Sequence, residues 1–186
     1  KDDLTDIGHN GFHYNFAYDI FGNMTEATIA GTKVVSYVYE SDNGNLLKTV
    51  YGNGDSIRYV YDKEDRVKES YYQPGNGAAE QKLNSYVYGK DGNLNKVTNY
   101  MSGKTYELSY DFLDRLMRVR DEKGNAYQYT YDANNNMIRL RHEADGTVHT
   151  IGYTYDKDSR ETKTTLGKVT RETAYDAWGR VKAQDW

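Results

Sequence analysis

A tyrosine recurs along this chain at an interval that only a repeat architecture explains. The eight positions are Tyr18, Tyr39, Tyr61, Tyr88, Tyr110, Tyr131, Tyr155 and Tyr175. They lie 21, 22, 27, 22, 21, 24 and 20 residues apart, a mean of about 22. Six are followed by aspartate, at Asp19, Asp62, Asp111, Asp132, Asp156 and Asp176, while Glu40 and Gly89 fill the other two places. Two residues before the tyrosine stand Phe16, Tyr37, Tyr59, Tyr86, Leu108, Tyr129, Tyr153 and Thr173. Four residues after it come Gly22, Asp65, Gly92, Asp114, Asn135, Ser159 and Gly179, with Gly44 one place late. Asn or Arg follows, and then an apolar residue, for which Glu161 is the exception.

Each unit reads as two antiparallel strands. Before the tyrosine, aromatic and β-branched residues alternate with small or polar ones, as in Tyr127-Gln128-Tyr129-Thr130-Tyr131, the period of a half-buried strand. Asp-x-x-Gly/Asn then predicts a turn. Its aspartate bonds nearby N–H groups, and its fourth position tolerates left-handed backbone. A second strand follows and ends at another turn, such as Lys123-Gly124-Asn125. No window carries helical periodicity. The predicted fold class is all-β: tandem hairpins, about sixteen strands, forming one array over residues 1–186. A flat meander of that size would be ~75 Å wide, so the sheet must curl, split or leave a face uncovered. The 27-residue interval holds Pro74 and a glycine cluster and predicts a lengthened hairpin loop at 73–80.

Composition fits this reading. Leu, Ile, Val and Phe make only 32 of 186 residues, against 20 Tyr. Such poverty in aliphatics often means disorder, so tyrosine is expected to supply much of the core. The net charge of −4 argues against a general nucleic-acid binder. Cysteine is absent, which excludes disulfides and thiolate metal sites. No apolar run reaches the ~18 residues of a membrane helix. A first residue of Lys1 in place of Met leads us to expect a piece of a longer chain.

Tyr18-Asp19-Ile20-Phe21-Gly22-Asn23-Met24 and Tyr175-Asp176-Ala177-Trp178-Gly179-Arg180-Val181 resemble the YD repeat of the Rhs family. The family includes bacterial polymorphic toxins, wall-associated toxin carriers, the C components of insecticidal toxin complexes, and teneurins. The resemblance implies a spiral β-sheet forming part of a hollow shell that encloses a C-terminal toxin domain. It also implies a secreted or cell-surface bacterial location. The partners it implies are the remainder of the shell and the enclosed domain, with carbohydrate as a further ligand. The family's Asp-Pro plug motif has no counterpart, since the only proline is Pro74 after Gln73. A mid-shell, non-enzymatic fragment is the expectation. Its open strand edges and uncovered face lead us to expect self-association.

Candidate chemistry is sparse, and no cofactor or metal is expected. His9 and His13, at i and i+4 on a strand, would face the same way, while His142 and His149 would face each other across a hairpin. Asp132-Ala133-Asn134-Asn135-Asn136 has the look of half a calcium loop, but Met137 and Ile138 follow where glycine is needed. A turn whose polar side chains satisfy the backbone is the preferred reading. Asn23-Met24-Thr25 is a glycosylation sequon that overlaps the repeat's own turn. Lys96, Arg118, Arg139 and Lys163 stand eight residues after four successive tyrosines, with Lys48 in the second unit. In register they would form a basic stripe, widened by Arg120 and Arg141. Cross-strand pairing with acids explains such a stripe; contact with a polyanion, cargo or neighbouring shell segment is the other reading. Tyrosine is read as core in preference to an exposed platform for sugars.

Overall fold

The computed structural model describes residues 4–186. Among them it contains seventeen strands and no helix. Two units divide the chain. The first runs through Val87 and includes Thr98–Gly103; the second comprises Tyr88–Val97 and Lys104–Trp186.

The first unit holds β1 (Asp6–His9), β2 (Phe12–Tyr18), β3 (Met24–Ile29), β4 (Thr32–Tyr39), β5 (Leu46–Tyr51), β6 (Ser56–Tyr61), β7 (Val67–Gln73) and β8 (Gln81–Tyr88). The last residue of β8, Tyr88, belongs to the second unit, and β9 (Leu94–Asn99) has residues in both. The second unit continues with β10 (Lys104–Tyr110), β11 (Leu116–Asp121), β12 (Ala126–Tyr131), β13 (Met137–Ala144), β14 (Thr147–Tyr155), β15 (Glu161–Leu166), β16 (Val169–Tyr175) and β17 (Val181–Asp185). From β1 to β8, and again from β10 to β17, each strand pairs antiparallel with the next in sequence. Tight turns permit this meander because antiparallel neighbours need only a few linking residues.

The extra strand lies at the start. Asn10 and Gly11 both have positive φ (50° and 79°), the backbone of a two-residue hairpin turn. His9 therefore faces Phe12, and Gly8 faces His13. The two histidines are on different strands and opposite faces, so the expectation of a shared face fails. His13 Nδ1 lies 3.3 Å from Asp6 Oδ1 instead.

A regular irregularity is built into seven hairpins. The register shifts just before Tyr18, Tyr39, Tyr61, Tyr110, Tyr131, Tyr155 and Tyr175. In β12–β13, Thr130 faces Arg139 but Tyr131 faces Met137, leaving Ile138 as an extra residue. Such a bulge bends its strand and raises the local twist. Repeating it adds the same bend at each hairpin.

The core expectation needs correcting. Among the described residues no large side chain is fully buried. The buried set is small: Ala27, Ala126, Thr49, Ser56, Ser70 and Thr173. All eight repeat tyrosines are half-buried. A single layer of sheet explains this, because a strand in it gains cover only from side chains beside it. On the opposite face Ala17, Val38, Val87, Ser109, Thr130, Thr154 and Ala174 are exposed. Tyrosine suits a half-buried position, with an apolar ring and a polar tip that still needs a partner.

Candidate functional site

For seven of the eight tyrosines the partner of that tip is a backbone carbonyl. The Tyr39 hydroxyl donates to the Met24 carbonyl at 3.0 Å, and Tyr61 to Leu46 at 2.9 Å. Tyr110 donates to Leu94, Tyr131 to Leu116, Tyr155 to Met137 and Tyr175 to Glu161, at 2.8–3.0 Å. Tyr18 donates likewise to Leu4. Each acceptor beyond Leu4 is the sixth or seventh residue after the preceding repeat tyrosine. Where registers are defined, that residue also faces the preceding tyrosine at the bulge, as Leu116 faces Tyr110 and Met137 faces Tyr131. The second unit thus contains an unbroken series: Tyr110 against Leu116, Leu116 bonded to Tyr131, Tyr131 against Met137, and on through Tyr155 and Glu161 to Tyr175. Glu161 breaks the apolar pattern without breaking the series, because its backbone is what accepts.

The turns form a second series at one end of the strands. In the Asp111 turn, Oδ1 accepts from the Leu113 and Arg115 N–H groups, and Oδ2 from Arg115 Nε at 2.7 Å. Asp19, Asp62, Asp132, Asp156 and Asp176 repeat this cap with Asn or Arg. Arginine side-chain hydrogen bonds hold Asp62, Asp111 and Asp156 below the usual carboxylate range. Asparagine does so for Asp19 and Asp132, and the Arg180 N–H leads for Asp176. The Asp132–Asn136 segment spends its carboxylate on this cap, so the calcium-loop likeness resolves into a turn. In the copies without aspartate, Asn43 and Asp91 accept from the Asn45 and Asn93 N–H groups. Asp121 caps a turn at the other end of its strand in the same way.

The fourth turn position has positive φ in every repeat: Gly22, Gly44, Asp65, Gly92, Asp114, Asn135, Ser159 and Gly179. At Asp65, Asp114 and Asn135 its side chain also serves the neighbouring repeat. Asn45 donates to Asp65 at 2.8 Å, Asn93 to Asp114 at 2.7 Å, and Arg115 to Asn135 at 2.8 Å. The Arg115 and Arg160 guanidiniums further lie 4.8 and 4.9 Å from the ring centres of the following Tyr131 and Tyr175.

The loop at 74–80 is tied to its neighbour. Gly75 N–H donates to Asp55 Oδ1 at 2.8 Å, and Arg58 makes a two-pronged bond to Glu80 at 2.9 and 2.7 Å. Gly75 approaches the Asn53 and Gly54 backbone so closely that a Cβ would fall 2.4 Å from the Asn53 oxygen.

The basic residues divide into two groups. Directly opposed residues share a face, which puts Arg118, Arg120, Arg139, Arg141 and Lys163 together on the face away from the tyrosines. Lys163 bonds Glu172 at 2.9 Å, and Arg141 bonds Glu143 at 2.7 Å. In the first unit Lys48, Arg58, Tyr71 and Lys82 form one cross-strand row, where Glu80 takes Arg58 and Glu69 takes Lys82. Lys96 borders a shallow cleft with Glu107 and Arg120. Among the described residues Arg118 and Arg139 have no ion pair. His142 does face His149, and its ring stacks on Tyr127 at 4.3 Å.

Residues 110–148 match the family model of the RHS repeat. Teneurin-1 of Gallus gallus is 29% identical over 142 residues, covering 73% of this chain and 5% of the teneurin. Teneurin-1 of Mus musculus is 29% identical over 143 residues, with the same coverage. A crystal structure of TcdB2-TccC3 superposes with a TM-score of 0.72 at 19% identity, over 91% of this chain and 10% of that one. A Photorhabdus luminescens Tc holotoxin pore gives 0.60 at 15% identity, over 94% and 12%. The chain therefore spans a small fraction of the relatives it matches. The tyrosine–aspartate hairpin, the matched repeat and the shared fold agree: residues 110–148 carry an RHS repeat, and the chain as a whole is similar to Rhs/YD-repeat proteins.

Proposed function

We propose that this chain is a non-enzymatic wall segment of an Rhs-type β-shell, part of a larger secreted or surface protein whose shell encloses a C-terminal toxin domain. The observation that carries this reading is the tyrosine series. The repeats of Tyr39, Tyr61, Tyr110, Tyr131, Tyr155 and Tyr175 are each fastened to the one before by a side chain-to-backbone bond, independent of any second layer. A wall one sheet thick can be extended this way with no interior core, each repeat resting on its neighbours. The likeness to TcdB2-TccC3 supports the same reading. Shell neighbours and the enclosed domain are then the partners, and free ends of the array self-associate; sedimentation as a monomer at micromolar concentration would count against the latter.

The test uses the intact gene product that carries this segment. Sequence beyond the repeats should resist protease until the array is unfolded. Cleavage as fast as in the same sequence expressed alone would overturn the shell reading. Rings half exposed on the sheet, Tyr51, Tyr100 and Tyr127 at 43%, 48% and 45%, favour a second reading as a carbohydrate- or cell-surface-binding module. Saturable binding on a glycan array, lost on changing Tyr127→Ala, would support it.

A further inference from the structure

We propose that the face of β10–β14 bearing Arg118 and Arg139 binds an acidic, extended polypeptide segment. Across these strands the face holds Arg118, Arg120, Arg139 and Arg141 against Glu107 and Glu143. It is a basic island in a chain of net charge −4. Arg141 is paired with Glu143, and Arg120 stands opposite Glu107. Arg118 and Arg139 have no such counterpart: their cross-strand neighbours are Ser109, Gln128, Thr130 and Gly152. The surroundings of Arg139 are open, since nothing lies within 4 Å of where a Cβ on Gly152 would stand. The Nε of Arg118 is closed off from solvent without a hydrogen-bond partner, so its stem lies against the sheet.

The contrast with the first unit is informative. There the equivalent row carries its own acids, Glu80 and Glu69, which occupy Arg58 and Lys82. In the second unit the same register runs Arg118, Gln128, Arg141 and Thr150, and Arg139 stands where the first unit has Glu69, so a cation takes the place of an acid. The geometry favours a peptide over a sugar chain. Arg118 and Arg120 are two residues apart on one strand, about 6.8 Å, and Arg139 lies two strands away, about 10 Å. Carboxylates at alternate positions of an extended chain repeat at the same ~6.8 Å. The residues between the arginines, Gln128 and Thr130, offer no ring for a sugar to stack on. This proposal is independent of which face of a shell points inward.

The probe is a fluorescein-labelled peptide of alternating glutamate and serine, titrated with the 186-residue chain and read by anisotropy. Binding should weaken with added salt. The Arg118→Gln/Arg139→Gln variant should weaken it by about tenfold, the scale of two partly screened charge pairs. Arg118→Lys/Arg139→Lys keeps the charge and should retain most of the binding, which separates charge from folding. Lys63→Gln/Lys157→Gln removes the same charge from exposed turns and should change nothing. Equal losses in the Arg118→Gln/Arg139→Gln and turn variants would overturn the proposal, as would undetectable binding. So would binding of a sulfated oligosaccharide, lost in the arginine variant, with no binding of the peptide.

Discussion

The Tyr131 hydroxyl donates to the Leu116 carbonyl at 3.0 Å, and Leu116 in turn faces Tyr110 across the bulge. One side chain therefore touches three consecutive features of the array: its own hairpin, the strand of the preceding repeat, and the place where that repeat bends. The neighbouring turns add Arg115, which caps Asp111 at home and bonds Asn135 in the next repeat. Coupling of this kind runs between nearest neighbours, so stability spreads along the array and does not reside in a centre.

Alkaline conditions should open this series. Burial pushes the Tyr39, Tyr61, Tyr110 and Tyr155 phenols above their ordinary 10.0. A raised folded pKa means the unfolded chain releases its protons first. The contribution is intact below pH 10 and is lost as pH rises through the folded values. An ionised phenol also cannot donate to a carbonyl. Unfolding followed by circular dichroism should coincide with the rise of tyrosinate absorbance; full ionisation with an intact sheet would contradict this.

The acid limb has the opposite sign. Asp19, Asp62, Asp111, Asp132, Asp156 and Asp176 lie below 3.8 in the folded chain. Their contribution is present above that value and is lost as pH falls beneath it. Tm should drop steeply from pH ~4 toward ~2. Asp111→Asn should lower Tm at neutral pH and flatten that drop, and an unchanged acid profile would count against the caps.

Left-handed backbone predicts a stabilising change. Ser159 has φ of 60°, a conformation that a side chain disfavours. Ser159→Gly should raise stability by about 0.5–1 kcal/mol, the relief of that penalty less the added freedom of the unfolded glycine. Ser159→Val should lower it by about 1–2 kcal/mol. Urea unfolding measures both.

At Gly75 the constraint is space. A methyl group there would meet backbone of Asn53 and Gly54, which cannot swing aside. Gly75→Ala should cost about 1–3 kcal/mol in the same urea assay, and a neutral result would mean that the loop is not seated on its neighbour.

Much of this was legible in the sequence because it is local. The hairpins follow from period-two alternation. The turns follow from aspartate and from residues tolerant of positive φ, and even Ser159 fits by position. The bulge was not legible: Ile138 and its equivalents look like ordinary strand residues, and only register reveals that they have no opposite. Nor was the acceptor of each tyrosine, since a carbonyl carries no residue identity. That anonymity is why Glu161 looked like a defect and is none. His9 and His13 fall on opposite faces because Asn10-Gly11 is a strong hairpin signal, which i, i+4 spacing along a single strand ignores. The even spacing of Arg118, Arg139 and Lys163 puts them on one face. Which charges are satisfied depended on Glu69, Glu80, Glu143 and Glu172, whose strand positions the repeat pattern does not fix.

The tyrosine-to-carbonyl series is tested most directly by single Tyr→Phe changes read as unfolding free energies. Tyr61→Phe, Tyr110→Phe, Tyr131→Phe and Tyr155→Phe each delete one bond to the preceding repeat and nothing else. Each should cost about 0.5–1.5 kcal/mol. Tyr59→Phe and Tyr129→Phe, whose hydroxyls make no hydrogen bond among the described residues, are matched controls and should cost close to nothing. Equal losses in the two sets would contradict the account that these hydroxyls fasten one repeat to the next.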